Sequence, residues 1–224
     1  MHIPDGYLGP ATYGGLWAAT AGLWVVASKR LKKTFKAAEV PLLALGAALS
    51  FVIMMFNVPV VGGTSGHATG AVLLAIVLGP WAAFISLSIA LAVQALVFGD
   101  GGITTLGANC FNMAFAGAFA GYMLYRLVSA GGASRKRLLF SAGCGAYFGI
   151  NVSALLTAVE LGVQTIMYKG ADGRPLYNPF PLKVTIPALM AGHLTVFGFV
   201  EAAFTVLSLA YILKAHPELV RTRT

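Results

Sequence analysis

A chain with only one charged residue in ten cannot wrap itself in a water-facing surface. Charged residues make up 10% of these 224 positions and apolar residues 58%, whereas a soluble domain carries roughly 25% charge. Lipid must therefore solvate much of the molecule, which predicts an all-α, polytopic membrane protein. At about 20 residues per crossing, the length accommodates about seven spans in a single membrane domain covering 1–224. Hydropathy puts them near 10–27, 39–56, 67–79, 80–98, 107–128, 138–164 and 183–213. Tyr13, Trp17 and Trp24 suit an interfacial belt. A net charge of +8 would suggest nucleic acid in a soluble protein. In a membrane protein it fits basic loops on one face, and no nucleic-acid partner is expected.

Those basic residues orient the chain. Twelve of the fifteen fall in three segments: Lys29, Arg30, Lys32, Lys33 and Lys36; Arg126, Arg135, Lys136 and Arg137; and Lys214, Arg221 and Arg223. With an odd span count the three share one side, the cytoplasm, which predicts an outside N-terminus and a cytoplasmic C-terminus. The outer side then collects residues 1–10, 57–67, 99–107 and 168–183. The first ten residues carry no Lys or Arg and no apolar core of a signal peptide, so the mature chain is expected to begin at or near Met1. Cys110 and Cys144 lack metal or redox spacing and are expected to be small core residues. Gly117-xxx-Gly121 and Ala44-xxx-Ala48 allow close helix approach, chiefly within the bundle.

The third span is too short. From His67 to Gly79 runs roughly 20 Å of helix against a hydrocarbon core near 30 Å. His67 is therefore expected about 10 Å below the outer interface, at the end of a re-entrant metal-site loop over 57–67 whose segment VGGTSGH is irregular backbone. Such backbone survives at membrane depth only where protein buries it or a cavity takes it in. A pocket open to the outside, roofed by Gly62 to Gly66, is expected.

The four histidines are His2, His67, His193 and His216. His216 is expected to be solvated, and His193 to bond a backbone carbonyl or another helix. His2 is unusual because its position allows three nitrogens to chelate one ion: the Met1 α-amine, the His2 amide and the His2 imidazole. They close a five- and a six-membered ring and favour a square plane, which suits Ni²⁺ or Cu²⁺ rather than tetrahedral Zn²⁺. His67, brought to the same side, is the natural fourth ligand. The Pro4-Asp5-Gly6 turn can fold residues 1–9 back toward the bundle. Binding must expel the amide proton, so acid should weaken it.

The opening MHIPDGYLGP, the segment GGTSGHATGAVLLAIVLGP and the segment QALVFGDGGITTLGAN resemble the NikM/CbiM family, and the match runs from Met1 through the last span. Members are substrate-specific components of energy-coupling-factor (ECF) uptake transporters for nickel and cobalt. The resemblance implies the same four nitrogens from Met1, His2 and His67. It also implies a transmembrane coupling subunit, cytoplasmic ATPases and a small auxiliary membrane subunit as partners. The Pro4-Asp5 opening is closer to nickel members than to cobalt members, which tend to read MHIMEG. No P-loop occurs in the chain, so ATP hydrolysis is left to partners.

Remaining polar residues in the spans are expected to bond between helices: Gln94, Asn109, Asn112, Asn151, Glu160 and Glu201. Asn109 and Asn112 could meet the Gly62–Gly66 backbone or orient His67, and Asp5 could hold the N-terminal segment. Glu160 and Glu201 are expected to be protonated or paired across helices. No nucleophile–base pair or HExxH is present, so no enzyme is expected. The competing function is a self-sufficient secondary transporter or channel, which would call for coupling carboxylates and repeated halves; no repeat is visible.

Overall fold

The computed structural model describes residues 1–35, 39–60, 64–130 and 134–221. It is a helical bundle. Pro10 opens α1 (Pro10–Thr34), where its missing N–H costs nothing, and Lys32 and Lys33 close it against the negative end of the helix. α2 follows at Val40–Met54. A hairpin of β1 (Val58–Val60) and β2 (Thr64–Gly66) pairs Val58 with Gly66 and Val60 with Thr64. α3 is short, Ala71–Leu78, and Gly79-Pro80 joins it to α4 (Pro80–Val93). α4 continues into a π turn, Gln94–Phe98. The next rod is α5 (Leu106–Asn109), a π turn (Cys110–Gly117) and α6 (Ala118–Ser129). α7 (Arg135–Met167) is the long central helix and packs on α6, α8 and α9. α8 (Leu182–Gly192) runs through a third π turn (His193–Phe197) into α9 (Gly198–Ala215). A final turn, α10, covers Glu218–Arg221.

Among the described residues, three helical stretches are long and apolar enough to cross a bilayer: Pro80–Phe98, Arg135–Met167 and Leu182–Ala215. Val40–Met54 is a shorter apolar helix. The fold is not purely helical: Val58–Val60 and Thr64–Gly66 pair as antiparallel strands, so Thr64–Gly66 is regular where irregular backbone is expected. Antiparallel pairing satisfies its polar groups locally. Gly62 and Gly63 of the expected roof lie outside the described residues, as do Lys36 and Arg223. The third apolar segment is helical only from Ala71. Gly70 stops it earlier by taking a left-handed conformation, φ 69°.

Small residues set the tightest packing. A Cβ on Gly121 would stand 2.5 Å from the Gly145 carbonyl oxygen, and one on Gly149 2.5 Å from that of Gly117. The Gly117–Gly121 pair is thus consumed inside the bundle against α7. Ala44 and Ala48 are exposed instead; α2 buries Gly46, Ala47, Ser50 and Met54. The two tryptophans of α1 also turn inward. Trp17 Nε1 donates to Thr104 O at 2.8 Å and Trp24 Nε1 to Ser88 Oγ at 2.9 Å.

Candidate metal site

Residues 1–9 thread into the bundle rather than trailing from it. The Ile3 backbone anchors them. Its N–H donates to Asn109 Oδ1 at 2.9 Å, and its carbonyl accepts from Asn109 Nδ2, Gly102 N and Thr105 Oγ1. Asp5 holds the next turn by accepting from Ile103 N at 3.0 Å and from the Thr104 amide and hydroxyl. Burial works to raise the Asp5 pKa, but those hydrogen bonds outweigh it and hold the carboxyl below its ordinary value. A Cβ on Gly102 would meet the Asp5 amide nitrogen at 2.4 Å, so the loop can close on the terminus only with glycine there.

This threading brings three expected residues together. Met1 is 0% exposed, His67 1% and His2 4%. The Met1 amine donates to the Ser65 carbonyl of β2 and lies 3.2 Å from Ser65 Oγ. Thr64 Oγ1 donates to His2 O at 2.9 Å, so β2 and the terminus lie edge to edge. The His2 and His67 rings stack with centroids 4.6 Å apart and planes at 26°.

Each ring has its tautomer fixed from behind. His67 Nδ1 faces the Ala68 carbonyl at 3.0 Å, which can only accept, so Nδ1 carries the proton and Nε2 keeps its lone pair. His2 Nε2 faces Gln94 Oε1 at 3.2 Å, which leaves the lone pair on Nδ1, the atom that closes a six-membered chelate ring. His67 Nε2 and His2 Nδ1 are both buried without a hydrogen-bond partner among the described residues. Buried polar atoms of that kind call for an explanation. The His2 amide N–H is likewise unpaired among the described residues, although the Met1 amine, His2 O and both Ile3 backbone groups are bonded. The two stacked imidazoles thus each keep one nitrogen without a hydrogen-bond partner among the described residues, beside a Met1 amine that is held by Ser65.

Electrostatics match. Burial pushes the Met1 amine down from 8.0 to about 4, against the pull of the Asp100 carboxylate. Burial, then the neighbouring amine, push His2 down to about 3, against the Gln94 hydrogen bond. Both are neutral donors at pH 7, as ligation requires. Among the described residues no three His, Cys, Asp or Glu side chains cluster.

Three further residues adjoin these groups, and sequence reasoning places none of them at the site. Asp100 Oδ1 stands 3.5 Å from His2 Nδ1, and its other oxygen accepts from Asn57 Nδ2 at 3.2 Å. Burial raises its pKa, against the amine and Asn57. Its signal was available: Asp100 is the lone acidic residue between Glu39 and Glu160. Gln94 was expected to bond between helices and instead orients His2. Its place at the head of a π turn, a geometry frequent at functional sites, is invisible in sequence. Ser65 gave no signal at all.

Other expectations change. Asn109 clamps Ile3, and among the described residues no hydrogen bond joins it to the hairpin or to His67. Asn112 Nδ2 donates to Glu160 Oε2 at 2.7 Å and to Thr157 Oγ1 at 3.3 Å, deeper in the bundle. His193 Nδ1 bonds the Leu189 carbonyl at 2.7 Å, and His216 is exposed beside Glu218. Cys110 is buried.

Comparison with known proteins gives a consistent set of likenesses. The family model described as the cobalt uptake substrate-specific transmembrane region, CbiM, matches residues 2–219. A fused nickel transport protein NikMN of Rhodobacter capsulatus is 48% identical over 100% of this chain and 65% of its own length. A probable fused nickel transport protein LarMN of Lactiplantibacillus plantarum is 47% identical over 97% of this chain and 66% of its own. The chain thus spans just under two thirds of those relatives. A cobalt transport protein CbiM of Chlorobium limicola is 34% identical over 89% of this chain and 79% of its own length. A crystal structure titled as a transition metal transporter superposes with a TM-score of 0.94 at 50% identity, covering 100% of both chains.

Proposed function

The chain belongs to the CbiM family of cobalt uptake substrate-specific transmembrane regions, and from that premise we propose that it is the substrate-binding membrane subunit of an ATP-driven, ECF-type uptake transporter for a divalent transition metal, Ni²⁺ before Co²⁺. The observation that carries this reading is the pair of buried imidazole nitrogens, His2 Nδ1 and His67 Nε2, held without partners beside the Met1 amine. With the His2 amide they supply four nitrogens and no thiolate or carboxylate. A set of that kind suits a metal content with square-planar nitrogen, Ni²⁺ or Cu²⁺, and of the two Ni²⁺ is the ion of this reading. The relatives named for nickel transport, and the Pro4-Asp5 opening, favour the same ion.

In this reading the chain crosses the membrane about seven times, with residues 1–9 and the 57–67 hairpin outside and the basic segments in the cytoplasm. Metal enters between the hairpin and the N-terminal segment. The prefixed tautomers replace its water without proton rearrangement at the rings, and the His2 amide gives up its proton. A transmembrane coupling subunit, cytoplasmic ATPases and a small auxiliary membrane subunit then drive release. Absorption titration of the purified chain with Ni²⁺ and Co²⁺ tests the site. A low-spin, yellow Ni²⁺ band, lost when the N-terminus is acetylated or extended, is expected. An unchanged band on the blocked chain defeats the assignment. Robust uptake by proteoliposomes of the chain alone would defeat the dependence on ATPase partners.

A further inference from the structure

His67 is gripped on both flanks by one remote helical segment. On its C-terminal side, the first amides of α3 need acceptors. Gly70 occupies the cap position and offers no side chain, and the nearest local acceptor is the Thr69 hydroxyl, which reaches only Ala71 N. The two amides just ahead of the helix, those of Thr69 and Gly70, find their acceptor on α9. Glu201 Oε2 accepts from Thr69 N at 2.6 Å and from Gly70 N at 3.1 Å. Glu201 Oε1 accepts from Thr69 Oγ1 at 3.3 Å, and that hydroxyl accepts in turn from Ala71 N at 3.2 Å. On the N-terminal side, Phe197 lies flat against Gly66, where a Cβ would stand 2.0 Å from Phe197 Cε2. Phe197 and Glu201 are four residues apart and so share one face of the helix.

Capping alone does not require this arrangement. The Thr69 hydroxyl already serves Ala71 N locally, and that bond needs no carboxylate buried in a bilayer-spanning helix, where desolvation is costly. Glu201 is 1% exposed. What the remote contact adds is position: it ties the backbone two residues after His67, and Phe197 ties the backbone one residue before it, to the same rigid rod.

Resting on the four-nitrogen reading above, we propose that Glu201 and Phe197 are positioning residues that hold His67 Nε2 in register with the Met1–His2 chelate. The α8–α9 rod thereby joins the bundle to the fourth ligand. Any displacement of α9 relative to the N-terminal segment would withdraw His67 from the metal while leaving the terminal chelate whole.

The test uses the full chain in nanodiscs, with an unblocked N-terminus, titrated with Ni²⁺ and followed by visible absorption. The variants are Glu201→Ala, Glu201→Gln, Phe197→Ala and His67→Ala. Loss of an orienting partner typically costs about 10- to 100-fold in metal affinity. Glu201→Ala is expected to lose about that much and to shift the band toward the position seen in the His67→Ala protein. Glu201→Gln keeps an acceptor oxygen and is expected to recover most of the affinity. Phe197→Ala, which leaves the α3 cap intact, is expected to lose about tenfold with the same direction of band shift. A merely structural role would lower thermal stability and leave the band where it is. Wild-type affinity and band position in folded Glu201→Ala or, should that variant not fold, in Phe197→Ala overturn the proposal. Absence of the band from the wild-type chain, or its persistence in His67→Ala, defeats the metal-site reading itself.

Discussion

His67 and His193 are two buried imidazoles prepared in the same way. Each turns Nδ1 to a backbone carbonyl, Ala68 at 3.0 Å and Leu189 at 2.7 Å, and each leaves Nε2 without a partner among the described residues. Both are essentially inaccessible, at 1% and 0% exposure. Their neighbours differ. His67 stacks on His2 beside a buried amine, whereas His193 packs its ring against Phe197 at 5.1 Å. Burial and a fixed tautomer therefore do not define a ligand. What sets His67 apart is a second imidazole and a buried amine close by, and it is on that company that the proposed ligand role rests.

The largest effect should break the pair apart. His67→Ala is expected to lower Ni²⁺ affinity by more than about 100-fold, beyond the range for residues that only orient a ligand. His193→Ala is expected to leave affinity within about threefold, well under 1.4 kcal/mol, while lowering thermal stability. Calorimetric titration checks both. Comparable losses in the two variants would erase the distinction. Next comes Gln94→Leu, which frees the His2 ring to adopt the wrong tautomer and is expected to cost about 10- to 100-fold.

A third effect concerns protons. The Met1 amine and His2 are already neutral well below pH 7, at about 4 and about 3. Binding at pH 7 should then release about one proton, from the His2 amide. A solvent-exposed amine at 8.0 would be mostly charged and would bring the count to about two. The sign for stability follows. Between pH 8 and 4 the unfolded chain binds a proton at the amine that the folded chain does not, so stability falls as pH drops through that window. Titrations in buffers of different ionisation enthalpy give the proton count. Among the residues that adjoin the site, Asp100→Asn should have the smallest effect, under about tenfold, because Asp100 stands 3.5 Å from His2 without a hydrogen bond to it.

Much of the helical framework could be read from hydropathy, because a membrane leaves the backbone few alternatives. The ends were less legible. α1 runs on to Thr34 through Lys29–Lys33, since basic side chains favour a helix C-terminus and their stems can lie along apolar surface. α3 begins only at Ala71, because the backbone of Gly70 and the acceptor on Glu201 fix its start, and the latter is 131 residues away. His2 and His67 stood out as candidates because the chelating geometry of a position-two histidine is local chemistry. Gln94, Asp100 and Ser65 did not, since their roles exist only once the hairpin, the α4 end and the terminus meet.

A nickel-soaked crystal of the full chain, with anomalous diffraction at the nickel edge, tests the four-nitrogen site most directly. A single strong peak bonded to the Met1 amine, the His2 amide, His2 Nδ1 and His67 Nε2 in one plane is expected. A peak elsewhere, or a metal held without the Met1 amine, would contradict it.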